Sequence, residues 1–124
     1  MAFVLIVEDS DTATPLEIAL ASLKGLRTML VTNGRDALKL LRENHAEIAA
    51  VVTDLQLPHV DGFELIAAIR ADKRSLGLPI VVVTGSNDPD NRLRVRELGA
   101  DAFFTKPYSP IEIRQTLEGL LHAP

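Results

Sequence analysis

The 124-residue chain contains no cysteine and no tryptophan, one tyrosine and four phenylalanines. Without thiols, neither a disulfide framework nor a thiolate metal site can form, which suits a reducing compartment. An aromatic content of 4% leaves too few rings for a base-stacking surface. Basic residues are not in surplus either. Thirteen Lys and Arg against seventeen Asp and Glu give a net charge of −4 at pH 7, so nothing draws the chain to nucleic acid. No apolar stretch approaches the ~18 residues that would suggest a membrane span. The first apolar run follows Met1 directly and meets an acidic pair after a few residues, with no basic leader, so it does not read as a signal peptide. A cytoplasmic protein without direct nucleic-acid or membrane contact is expected.

What is present is ordinary globular composition, 47% apolar and 24% charged. The length fits one domain with a real core. There is no internal repeat, low-complexity tract or linker, so residues 1–124 read as a single domain.

Apolar runs alternate with amphipathic segments. Residues 3–7 (FVLIV), 28–31 (TMLV), 48–53 (IAAVVT), 79–83 (PIVVV) and 101–105 (DAFFT) read as five strands. Several are continuously apolar, as strands buried on both faces should be. Thr14-Pro15-Leu16-Glu17 reads as a capping box with proline at the first helical position. A first helix is therefore expected from there, within the ~2–4 residues to which such boundaries are read. Leu16, Leu20 and Leu23 mark its apolar face, and Gly25 ends it. Asn33-Gly34 turns into a second helix with Ala37, Leu38 and Leu41 inward. Asp61-Gly62 opens a third around Leu65, Ile66 and Ile69. Asp88-Pro89 caps a fourth around Leu93, Val95 and Leu98, with Arg92, Arg94 and Arg96 on its other face and Gly99 after it. Ser109-Pro110-Ile111-Glu112 repeats the capping box before a last helix with Ile113, Leu117, Leu120 and Leu121 on one face.

Five strands joined by five helical crossovers make a parallel α/β sheet with right-handed connections. Ligands of such sheets bind outside the carboxyl ends of the strands. There the sequence gathers Glu8 and Asp9 after the first strand, Asp54 after the third, Thr84 after the fourth and Lys106 after the fifth. Three acids in one crevice repel one another unless a hard cation such as Mg2+ intervenes. A carboxylate can then attack a phosphoryl group, with a lysine and a hydroxyl on the phosphoryl oxygens. Asp54 is the candidate phosphoacceptor.

These residues resemble the receiver domain of bacterial two-component response regulators. The likeness rests on Glu8-Asp9, on Asp54 with Pro58 and Asp61-Gly62, on Thr84-Gly85 and on Lys106-Pro107, in that order and each at a strand end. The resemblance implies a flavodoxin-like (βα)5 fold with strand order 2-1-3-4-5. It implies that Asp54 takes a phosphoryl group from the phosphohistidine of a sensor histidine kinase or histidine phosphotransfer protein. Asp9, Glu8, Asp54 and the backbone carbonyl of Gln56 would hold Mg2+, Lys106 would contact the phosphoryl group, and the Lys106-Pro107 bond would be cis. Thr84 would move toward the phosphate, and Phe103 would turn into the vacated space. The face of the fourth helix, fifth strand and fifth helix would be read by a downstream target or by a second copy in a phosphorylation-dependent homodimer. Phenylalanine at 103, where the family more often has tyrosine, removes a switch hydroxyl. Gln56 and Ser86 would tune water access and so phosphoryl lifetime. Such a domain stores a signal and is not an enzyme beyond its own phosphotransfer and slow autodephosphorylation.

Other readings account for less. A haloacid-dehalogenase-like phosphatase would use Asp9 and Asp11, but Ala13 stands where that family wants Thr or Val, and Asp54 to Pro58 would have no role. A flavodoxin-like cofactor module would need a phosphate-cradling loop after the first strand, where this sequence has an acidic pair instead. A degenerate receiver would not keep all five strand-end residues. Asp11 and Asp61 read as capping or turn acids, and His45, His59 and His122 share no ligand spacing.

Overall fold

The computed structural model describes residues 2–8, 10–85 and 88–122, with 10–12 described by backbone alone. Among these residues five strands alternate with five helices. They are β1 (Ala2–Val7), α1 (Ser10–Leu20), β2 (Leu26–Val31), α2 (Gly34–Asn44), β3 (Ile48–Thr53), α3 (Gly62–Ala71), β4 (Ile80–Thr84), α4 (Pro89–Leu98), β5 (Ala102–Thr105) and α5 (Pro110–Leu121). Short 3-10 turns at His45–Glu47 and Lys73–Ser75 follow α2 and α3. All strand pairs are parallel, and the order is β2-β1-β3-β4-β5. The chain runs outward from β1 to β2 and then crosses back to β3. The order therefore reverses between β1 and β3, and a crevice opens at their carboxyl ends.

Alternation along the strands divides the core into two layers. Leu5 and Val7 of β1, Val51 of β3 and Val82 of β4 point to one face, where α2, α3 and α4 cover them through Ala37, Leu41, Leu65, Ile66, Ile69 and Val95. Val4, Ile6, Val52, Val81 and Val83 point to the other, under Leu16 and Leu20 of α1 and Ile113 and Leu117 of α5. Each fully buried side chain of this size contributes about 1.5–3 kcal/mol of transfer free energy. The double layer explains why the central strands read as continuous apolar runs.

Four helices begin as their sequence signatures indicate. Asn33, Asp61, Asp88 and Ser109 stand at N-caps, each accepting a bond from a backbone N–H of the first turn. Gly99 closes α4 at φ 110°, a conformation that favours glycine. Three expectations are corrected. Helix α1 starts at Ser10, so Pro15 is its sixth residue and Thr14-Pro15 is no cap. The earlier start lets Ala13, fully buried, join Leu16 and Leu20 on one stripe. The proline ring lies on the exposed side and removes one backbone bond there. Leu23 is buried but lies beyond the helix. In α4, Leu93 points outward at 56% exposure while Val95 is buried. Residues two apart on a helix lie roughly 200° apart, so the two cannot share a face.

Candidate functional site

Strand register brings the polar tips together. Val7 pairs with Thr53, so Glu8 and Asp54 leave adjacent strands side by side. Thr84 pairs with Thr105, which delivers Lys106 one step later. Backbone bonds continue past the tips. Asp54 N–H donates to Val7 O at 3.0 Å, Glu8 N–H to Val31 O at 3.1 Å and Lys106 N–H to Thr84 O at 2.7 Å.

Lys106 ties the two acids. Its Nζ donates to Asp54 Oδ2 at 2.9 Å and to Glu8 Oε1 at 3.0 Å, and lies 2.9 Å from Glu8 Oε2. The Glu8 side chain is 1% exposed, Asp54 11% and Lys106 27%. Charges so far withdrawn from water persist only when paired. Burial disfavours the Lys106 ammonium, but its bonds to Asp54 and Glu8 outweigh that, holding its pKa above the ordinary lysine value. Tyr108, half-buried beside them, has its hydroxyl pushed up by burial and then by the Glu8 charge.

The loop after β3 orients Asp54. Oδ1 accepts from Leu55 N–H at 2.6 Å and Gln56 N–H at 3.2 Å, while Oδ2 takes the lysine. The fully buried Thr53 donates Oγ1 to the Asp54 carbonyl at 2.8 Å. Gly62, at the start of α3, donates N–H to Leu55 O at 2.9 Å. A Cβ there would collide with the Asp54 carbonyl oxygen and stand 2.6 Å from Leu55 Cα. On the other side Gly34 N–H donates to Pro58 O at 3.4 Å, and a Cβ on Gly34 would run into the Val60 carbonyl. In the sequence Gly34 reads as a turn residue and Gly62 as the opening of a helix. What that reading missed is that each lets a helix N-terminus press against the acid's loop. Glycine as the first helical residue, where alanine would favour the helix, is the signal.

Asp61 is the α3 cap, as its acid-glycine pair suggests, with Oδ1 accepting from Glu64 N–H at 2.9 Å. Thr84 is fully buried at the end of β4. Phe103 is half-buried on β5 with the Arg92 guanidinium 5.0 Å from its ring centroid. Gln56 is exposed beside Asp54. The Lys106-Pro107 bond is cis, as the resemblance implies. Asp9 and Ser86 lie outside the described residues, as does the side chain of Asp11. Two histidines have partners that spacing did not indicate. His59, at φ 71°, faces Arg35 Nη2 at 2.6 Å, and His45 faces Arg74 Nη1 at 3.2 Å.

The donor chemistry suits a hard divalent cation. Glu8 and Asp54 offer carboxylate oxygens in a crevice where one ammonium offsets two negative charges, and oxygen ligands with residual negative charge are what Mg2+ takes. Among the described residues no three acids or histidines cluster as a side-chain metal site, and Asp9, the expected further ligand, is not among them.

Comparison with known proteins places these features in a family. Residues 4–118 match the family model for the response regulator receiver domain. Transcriptional regulatory protein GltR of Pseudomonas aeruginosa is 35% identical over 118 residues, covering 95% of this chain and 48% of GltR. The chain thus spans about half the length of that relative. Polar-differentiation response regulator DivK of Brucella ovis is 30% identical over 118 residues, covering 95% of this chain and 94% of DivK. The crystal structure of a putative response regulator from Chloroflexus aurantiacus superposes with a TM-score of 0.86 at 30% identity, covering 97% of each chain.

Proposed function

This chain belongs to the response regulator receiver family, whose members are phosphorelay signalling domains rather than enzymes in the usual sense, and we propose that it stores a phosphoryl group on Asp54. The donor is the phosphohistidine of a sensor kinase or histidine phosphotransfer protein. An Asp54 carboxylate oxygen forms the new P–O bond as the P–N bond breaks, and the imidazole leaves with the electron pair and takes a proton. The observation that carries the reading is Lys106, held between Asp54 and Glu8 at 2.9 and 3.0 Å. It is a cation already placed to meet phosphoryl oxygens.

Glu8, Asp9, Asp54 and the backbone carbonyl of Gln56 would hold Mg2+, which when bound neutralises charge on the incoming group. Asp54 is kept ready by the Leu55 and Gln56 N–H groups on Oδ1, which leave Oδ2 for the lysine side. Thr84 turns its hydroxyl to the phosphoryl group, and Phe103 fills the space it leaves. Since the modified state binds the phosphoryl group better, it is populated at the expense of the resting one. The α4–β5–α5 face then presents an altered surface to a downstream protein or a second copy. Signalling takes place in the cytoplasm, without direct contact to nucleic acid or membrane, and the stored group leaves by slow autodephosphorylation.

A phosphate-affinity gel after incubation with acetyl phosphate tests the metal role. A shifted band is expected with Mg2+ and absent with a chelator or in Asp54→Asn. A band of equal strength in the chelator would contradict the metal's part.

A further inference from the structure

Helix α4 is the least anchored of the crossovers. Val95 is its one fully buried residue, and Leu93 faces solvent at 56% exposure. Apolar burial therefore holds it weakly. Arginine side chains supply other attachments. Arg94 stacks on Phe63 of α3, its guanidinium carbon 3.9 Å from the ring centroid. At the carboxyl end, Arg70 of α3 donates to the carbonyl of Gly99 at 3.0 and 2.9 Å. Arg92, on the opposite side from Arg94, reaches across to β5 and lies 5.0 Å from the Phe103 ring centroid. A groove of about 270 Å³ adjoins this contact, lined by Arg92, Val95, Arg96 and Phe103 among others.

The three attachments differ in kind. Phe63 belongs to α3, which buries four residues of its own, and Gly99 is tied by two guanidinium bonds. Phe103 is the one anchor of the three that the switch reading requires to move. We propose that Arg92 is a positioning residue that couples the Phe103 ring to α4. Its guanidinium favours the resting ring position, and ring movement releases that side of α4 while the Arg94 and Arg70 attachments remain. This rests on the reading of Phe103 as the switch residue, and adds how the ring's position reaches a helix whose only fully buried residue is Val95. An exposed cation–π contact shifts such an equilibrium by about two- to fivefold.

The test uses the four phenylalanines as reporters. The full chain is labelled with 3-fluorophenylalanine, the residue 103 resonance is assigned with Phe103→Leu, and beryllofluoride is titrated in with Mg2+. Arg92→Met keeps an apolar stem without the charge, and Arg96→Met removes a guanidinium one helical turn away. In the wild type the ring 103 resonance is expected to move on saturation. Arg92→Met is expected to lower the beryllofluoride midpoint about two- to fivefold, Arg92→Lys less, and Arg96→Met not at all. A wild-type ring 103 resonance that stays put would overturn the switch reading itself. A moving resonance with equal midpoints in wild type and Arg92→Met, or equal shifts in Arg92→Met and Arg96→Met, would overturn the role of Arg92 alone.

Discussion

Lys106 Nζ lies 2.9 Å from Asp54 Oδ2, joining two residues 52 positions apart in the chain, and the same ammonium bonds Glu8. The resting site therefore carries its own cation. A divalent ion held by Glu8 and Asp54, as proposed above, would compete with that lysine for the same carboxylates.

Removing the lysine should have opposite effects on stability and metal affinity. Lys106→Ala removes the ammonium that the buried Glu8 and Asp54 carboxylates share and should cost about 1–3 kcal/mol in metal-free urea unfolding. With the competing charge gone, Mg2+ affinity should rise roughly three- to tenfold by calorimetric titration. The pH dependence follows from the raised Lys106 pKa. Its contribution is fully present below the ordinary lysine value of 10.5 and is lost as pH climbs through the higher folded value. On the alkaline side the wild type should thus keep its advantage over Lys106→Ala up to about pH 10.5 and lose it above. A weaker Mg2+ affinity in the variant would show that the lysine supports the metal instead of competing with it.

Gly62→Ala should push α3 away from the acid's loop, because the added Cβ meets the Asp54 carbonyl oxygen and Leu55 Cα. A destabilisation of about 1–3 kcal/mol and slower labelling by acetyl phosphate are expected. Gly119 in α5 is the control. A Cβ there meets nothing within 4 Å, so Gly119→Ala should stabilise by about 0.5–1 kcal/mol. Thermal melts of the two variants side by side would check both signs.

Arg70 holds the far end of α4. Its guanidinium donates to the Gly99, Ser75 and Leu76 carbonyls and to Asp101, while Asp101 also accepts from Ile80 N–H at 2.8 Å. Its side chain is 18% exposed. Arg70→Met keeps the stem and removes the donors, and should cost about 2–3 kcal/mol in urea unfolding. Amide exchange should accelerate most around Gly99 and Ala100.

At the surface, the Arg74 side chain holds the Asp72 carboxyl at about 2, against an ordinary 3.8, with the Arg74 backbone N–H adding to the effect. A depressed carboxyl favours the folded state above its ordinary value and loses that contribution as pH falls through the lower one. Carboxyl NMR titration should place the Asp72 midpoint near 2, and Arg74→Ala should return it toward 3.8.

The strand tips were legible in sequence because each buried strand ends where a polar residue breaks an apolar run. Asp54, Thr84 and Lys106 all stand out this way, and four helix caps announce themselves by an acid, asparagine or serine before a helical face. The start of α1 was not legible. The Thr14-Pro15 pattern is a sound local signal, but burial of Ala13 against the sheet outweighs it. Leu93 was misread because a helix two residues on shows its opposite side. The Lys106–Glu8 bond and the Arg70 contacts to Gly99 and Asp101 join residues about 30 to nearly 100 positions apart, so only the assembled sheet reveals them. The pressure of Gly62 on Asp54 is a distance between backbones, and composition does not record it.

Asp54 as the phosphoryl acceptor is the proposal on which the other site roles depend. The direct measurement is to expose the chain to acetyl phosphate with Mg2+, reduce with borohydride, digest, and locate the converted residue by mass spectrometry. Conversion at Asp54, abolished in Asp54→Asn with the fold intact, is the predicted result. Conversion at Asp9, or at another carboxylate with Asp54 untouched, would contradict the account.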